Sequence, residues 1–181
     1  MNHCVILHNN FEDVEALAFI DLLRRAKVRL DLYGVGGPSI TSRSAVVYAV
    51  ERIFKTESDI DVSAYDGILI PGGPGIYDLE KNKNLLAVIK KFFDMRKLVF
   101  AICAAPLLLD RAGILAGKKY TCYPGTEIHT GTHVDQSVVV DGNIITSQGV
   151  GTALAAGIAL VERICGKAEA ESQKKKILYK N

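Results

Sequence analysis

A doubly wound α/β domain, with a mainly parallel sheet and helices on both faces, is what this sequence predicts. Three observations predict it. Short runs such as residues 4–7, 67–70 and 98–102 are wholly apolar, as strands buried on both faces must be. Amphipathic stretches with helical spacing separate them. Turn residues rich in Gly and Pro close several of the strands, so strand and helix alternate along the chain. At 181 residues and 49% hydrophobic content, one domain with a full core is expected.

Cys4, Val5, Ile6 and Leu7 read as the first strand, and residues 14–26 as a helix whose Leu17, Ile20 and Leu23 recur at helical spacing. Residues 30–35 form a second strand ending at Gly36-Gly37-Pro38. Residues 45–54 read as short extended pieces outside the main sheet. The strand over 67–70 stops at Pro71-Gly72-Gly73-Pro74-Gly75. A helix over 85–95 leads into the strand at 98–102, and the next helix ends near Gly113. Residues 120–123 read as a further short strand. Residues 137–140 and 143–146 flank Asp141-Gly142 as a hairpin, and residues 152–165 form a last core helix. The domain is placed at residues 1–166, with 167–181 as a C-terminal helix or tail.

Composition narrows the function. The net charge of +2, with basic and acidic residues interleaved, leaves no nucleic-acid footprint, and Lys174-Lys175-Lys176 reads as a solvated helix face. No stretch approaches the ~20 apolar residues of a membrane helix, and the opening residues lack a basic leader. A soluble, cytoplasmic protein is expected. Cys4, Cys103, Cys122 and Cys165 are scattered, with no CxxC pair, which argues against zinc and thioredoxin motifs. His129 and His133 stand four apart, but the intervening Thr-Gly-Thr is a poor helix, so no metal and no cofactor are expected.

Chemistry points to Cys103. It sits where the apolar run 98–102 meets Ala104-Ala105-Pro106-Leu107, a strand turning sharply into a helix. A helix start offers free N–H groups and a positive dipole end, both of which favour thiolate. Ala101 and Ala105 make a small-x-Cys-x-small elbow, and Pro106 suits the first helical turn. A buried structural cysteine is the competing reading.

In an open α/β sheet, ligands collect at the carboxyl ends of the strands. Three such ends carry residues 8–15, Pro71-Gly72-Gly73 and Cys103. Gly72 and Gly73 let the backbone approach a ligand and direct N–H groups inward as an oxyanion hole, with the Ala104 N–H a further donor. Helical phasing turns Glu15 inward with Ala18 and Phe19, whereas Glu12 and Asp13 belong at the helix start. A carboxyl beside a thiolate is pushed toward its protonated form and can donate to sulfur. A first-turn Glu that only caps or solvates the helix is the alternative. A histidine partner for the cysteine would have to be His129 or His133, and His3 and His8 are read as surface residues.

Three motifs carry a resemblance. Phe100-Ala101-Ile102-Cys103-Ala104-Ala105-Pro106, Ile70-Pro71-Gly72-Gly73 and residues 146–152, with the opening segment through Ala26, resemble the ThiJ/PfpI superfamily in order and spacing. They are most similar to the branch of the Parkinson-associated DJ protein. The resemblance implies a flavodoxin-like sandwich, a homodimer, and a reactive Cys103 hydrogen-bonded to a protonated Glu15, with Gly72 and Gly73 holding an oxyanion. It implies a glutathione-independent glyoxalase or deglycase acting on methylglyoxal or its early glycation adducts. The alternative is a redox-sensing, chaperone-like protein of oxidative stress with an oxidisable cysteine. Where some members have a His, this chain has Tyr123, a hydrogen-bonding substitute. Ala104, where the peptidase branch has His, argues against proteolysis.

Overall fold

A computed structural model describes residues 1–126, 128 and 130–180. The chain runs β1 (Asn2–Leu7), α1 (Asp13–Arg25), β2 (Arg29–Val35), β3 (Ser39–Thr41), β4 (Val47–Ala49), β5 (Arg52–Phe54), β6 (Gly67–Ile70), α2 (Ile76–Leu79), α3 (Lys83–Asp94), β7 (Leu98–Ile102) and α4 (Pro106–Arg111). It continues with β8 (Lys119–Tyr120), β9 (Thr132–His133), β10 (Val138–Asp141), β11 (Ile144–Ser147), α5 (Ala153–Cys165) and α6 (Lys167–Lys176).

Among the described residues the main sheet has the order β10-β11-β7-β6-β1-β2-β5. All its pairings are parallel except β10 with β11. Successive side chains on a strand point to opposite faces, and this divides the core in two. Cys4 and Ile6 of β1, with Val99 and Ala101 of β7, face the layer of α3 and α4. Val5 and Leu7, with Phe100 and Ile102, face α1, α5 and α6. Every residue of β6 and β7 is buried, which explains why neither strand shows alternation.

The helices on the second face pack closely. A Cβ on Gly157 of α5 would lie 2.6 Å from Leu22 Cδ1, so the glycine lets α5 sit against α1 without moving that side chain. Residues 167–176 form α6 against α5, with Ala170 and Gln173 fully buried.

Two local expectations need correction. Residues 45–54 do not all lie outside the main sheet: β3 and β4 form a separate ribbon, but β5 pairs in parallel with β2 as the sheet edge. Tyr33 to Val35 give β5 a partner far away in sequence, which a local pattern does not register. Residues 120–123 are not a strand of the sheet either. Among the described residues β8 pairs only with β9, and Thr121 N–H turns instead to the Thr146 hydroxyl at 2.9 Å.

Candidate active site

The sheet order reverses between β2 and β6, on either side of β1, and that switch point is where an open α/β sheet leaves a crevice. The ends of β1, β6, β7 and β11 converge there around a cleft of about 520 Å³. Glu15, Gly73, Cys103, Ala104 and Tyr123 line it.

Cys103 is the elbow itself. Its φ of 64° lies in the left-handed region, rarely occupied by a residue with a Cβ, and the strain is held by surrounding bonds. The Cys103 N–H donates to Ser147 O at 2.9 Å, its carbonyl accepts from Tyr123 N–H at 2.8 Å, and Ala105 N–H reaches Ile102 O at 3.0 Å. Pro106 then opens α4 in its first turn. Ala105 is fully buried in the bend, and Ala104 lines the cleft.

Glu15 is only 1% exposed and is held by a backbone donor, the Gly72 N–H to Oε2 at 3.0 Å. Oε1, also buried, makes no well-formed hydrogen bond among the described residues. Glycine at position 72 is compulsory: a Cβ there would lie 2.5 Å from Cys103 Cβ and 2.7 Å from Glu15 Oε2. Gly73, with φ at 106°, brings its N–H toward the sulfur, as does Ala104. The Gly72 N–H is committed to the carboxyl, which leaves Gly73 and Ala104 as the donors open to a ligand.

The electrostatics differ from a free thiolate at a helix start. Burial pushes Glu15 up to about 7. Burial and the neighbouring carboxyl push the Cys103 thiol up to about 12, against the opposite pull of the Gly73 and Ala104 N–H groups. The pull of the helix start on the sulfur is thus opposed, because α4 is one short helix and the sulfur is partly buried beside a carboxyl. The two groups are coupled, and burial favours the neutral form of each.

Sequence reasoning missed Arg43. It sits in the turn between β3 and β4, donates to Glu12 Oε2 at 2.9 Å, and lines the cleft. The turn is docked by Asn10 N–H on Thr41 O and by Arg43 N–H on Phe11 O, contacts across some thirty residues that no local motif announces. Tyr77, Gln148 and Thr152 also line the cleft. Asp13 and Glu12 stand at the start of α1 as expected, Asp13 accepting from Ser44 and Tyr48.

The histidines are placed differently from the sequence reading. His3 and His8 are each 2% exposed rather than superficial, because β1 lies in the middle of the sheet. His133 is exposed on β9 against the Tyr120 ring and does not line the cleft. His129 lies outside the described residues. Tyr123 is 55% exposed and contributes a ring to the cleft wall. Among the described residues no group of His, Cys, Asp and Glu suited to a metal ion is present, and no helix is long and apolar enough to cross a membrane.

The whole fold recurs in known proteins. The Drosophila melanogaster DJ-1beta structure superposes with a TM-score of 0.92 at 27% identity, covering 99% of this chain and 98% of that one. Oxidized Toxoplasma gondii DJ-1 gives 0.91 at 26% identity, covering 99% of each. A Pyrococcus horikoshii protein named as a deglycase is 31% identical over 117 residues, 65% of this chain and 69% of its own length. Other curated relatives are matched over a smaller part: 36% of an uncharacterized Methanocaldococcus jannaschii protein, at 45% identity over 40% of this chain, and 26% of Arabidopsis thaliana DJ-1 homolog B, at 34% identity over 62% of this chain. The DJ-1/PfpI family model matches residues 1–163. With the elbow cysteine, its inward glutamate and this match over nearly the whole length, the chain belongs to the DJ-1/PfpI family.

Proposed function

We propose that this chain is a cysteine-dependent enzyme of the glyoxalase III or deglycase type, acting on methylglyoxal or on its early glycation adducts. The observation that carries the proposal is a carboxyl buried beside a cysteine on a strained elbow, with Gly73 and Ala104 N–H groups directed at the same point, and burial raises that carboxyl toward 7. A carboxyl tuned to neutrality is suited to moving protons both ways at working pH. The relatives named as deglycases support the same reading.

The Cys103 sulfur adds to the aldehyde carbon while its proton passes to the Glu15 carboxylate. Gly73 and Ala104 N–H groups hold the resulting oxyanion, which takes a proton back to give a hemithioacetal. Glu15, again a carboxylate, removes the proton from that carbon to give an enediolate; a proton is then added at the adjacent carbon while the hydroxyl proton passes from the first oxygen to the second, leaving a thioester of a 2-hydroxy acid. Water hydrolyses the thioester, releasing lactate and restoring the thiol. The sum is methylglyoxal plus water to lactate, an internal redox change that needs no cofactor. Gly72 contributes by fixing Glu15, and Tyr123 by bounding the substrate.

The test is lactate formation from methylglyoxal by purified protein, with Cys103→Ser and Glu15→Ala as controls. Lactate above both controls is expected, and none would overturn the reading. A parallel arm offers methylglyoxal already added to an amine or a thiol, and the ratio of rates separates glyoxalase from deglycase.

Redox sensing is the second reading. It draws on the two N–H groups at a sulfur open to the cleft, which would hold sulfinate oxygens. The raised thiol weighs against it. Two oxygens added at Cys103 alone under mild peroxide, without lactate production, would favour it. A homodimer is also proposed. Val14, Leu17 and Leu154 are each close to half exposed and line one shallow depression, an apolar face on α1 and α5 that a second copy would cover.

A further inference from the structure

His8 is a buried, titratable group that the proposed chemistry leaves unused. It follows β1 directly, and its ring nitrogens face main-chain carbonyls of two different turns. Nδ1 lies 3.0 Å from Asn9 O, and Nε2 lies 3.4 Å from Pro71 O. The second of these turns carries the site's donors, Gly72 N–H on Glu15 and Gly73 N–H toward Cys103. Backbone bonds join the same two turns: Glu12 N–H to Gly72 O at 3.0 Å and Gly75 N–H to Asn10 O at 3.4 Å. The ring fits without slack, since a Cβ on Gly75 would lie 2.6 Å from Nδ1. Phe11 packs against it edge-on at 6.4 Å.

We infer that His8 is a positioning residue that wedges and hydrogen-bonds the turn at residues 71–75, fixing the aim of the Gly72 and Gly73 N–H groups. A neutral imidazole has one N–H, which we place on Nε2 toward Pro71 O, with Nδ1 packed against Asn9 O; burial, which lowers its pKa, keeps the ring neutral. His8 thereby acts on the Glu15–Cys103 pair without touching it. Losing the Gly72 donor raises Glu15 further, because that bond favours the carboxylate.

The inference rests on the function proposed above, and its test has a readout that needs no turnover. His8→Leu keeps much of the volume and removes the donor, and His8→Gln keeps a donor. The pH midpoint of Cys103 alkylation by iodoacetamide is measured with kcat and KM for methylglyoxal, each variant first being checked for an intact fold by circular dichroism. For His8→Leu the midpoint rises and kcat falls about tenfold, less than complete loss of an oxyanion donor, with KM within about twofold. His8→Gln returns both toward wild type. A folded His8→Leu with wild-type midpoint and kcat would overturn the inference, as would His8→Gln behaving like His8→Leu. Absence of lactate from the wild-type protein would sink the proposed reaction while the alkylation midpoints still decide the role of His8.

Discussion

Replacing Glu15 by Gln should make the protein more stable at alkaline pH while abolishing its proposed activity, and the size of the gain follows from the site. The carboxyl is 1% exposed and its pKa is raised from 4.5 to about 7, mainly by burial. At ~1.4 kcal/mol per pH unit, the rise corresponds to about 3 kcal/mol. A carboxyl that binds its proton more tightly when folded stabilises the fold below 4.5, the unfolded value, and loses that contribution as pH rises through about 7. Gln carries no charge and retains an oxygen for the Gly72 N–H, so it escapes the loss. Denaturant titrations of both proteins from pH 4 to 9 should give curves that nearly coincide at the acid end. They should separate by up to about 3 kcal/mol above pH 8, or roughly 6–12 °C in Tm for a domain of this size. Parallel curves across the range would refute the reasoning, because they would mean that Glu15 ionises as easily in the fold as in the unfolded chain.

Other outcomes follow from the same geometry. Gly72→Ala should abolish lactate formation and lower stability by about 3 kcal/mol or more in urea titration, since its Cβ would lie 2.5 Å from Cys103 Cβ with backbone close on the other side. Cys103→Gly should be about 1 kcal/mol more stable than Cys103→Ala in thermal melts, because a Cβ at φ 64° carries strain that glycine lacks. Alkylation of Cys103 by iodoacetamide should rise through pH about 7 as the pair acquires its charge, and that step should vanish in Glu15→Gln. Cys103→Ala should move Glu15 above about 7 in a carboxyl-resolved NMR titration, since the thiol's hydrogen bond favours the carboxylate.

Much of this protein was legible in the order of its residues. Wholly apolar runs at 67–70 and 98–102 could only be strands covered on both sides, and helical spacing after residue 13 turned Glu15 inward wherever the helix was packed. The elbow at Cys103 was written locally too, because small neighbours and Pro106 are what a strand-to-helix turn requires. Local pattern failed where partners were distant. β5 is a main-sheet strand only because β2 lies beside it, and Arg43 reaches the cleft only because its turn is bonded to residues 10 and 11. The ionisation of the site was likewise undecided until the chain folded. Local sequence places a thiol at a helix start and a carboxyl in a first turn, but it does not set how far either is buried. Burial in a shared crevice, against the pull of backbone donors on either side, raises the pKa of both, and that depends on which atoms exclude water.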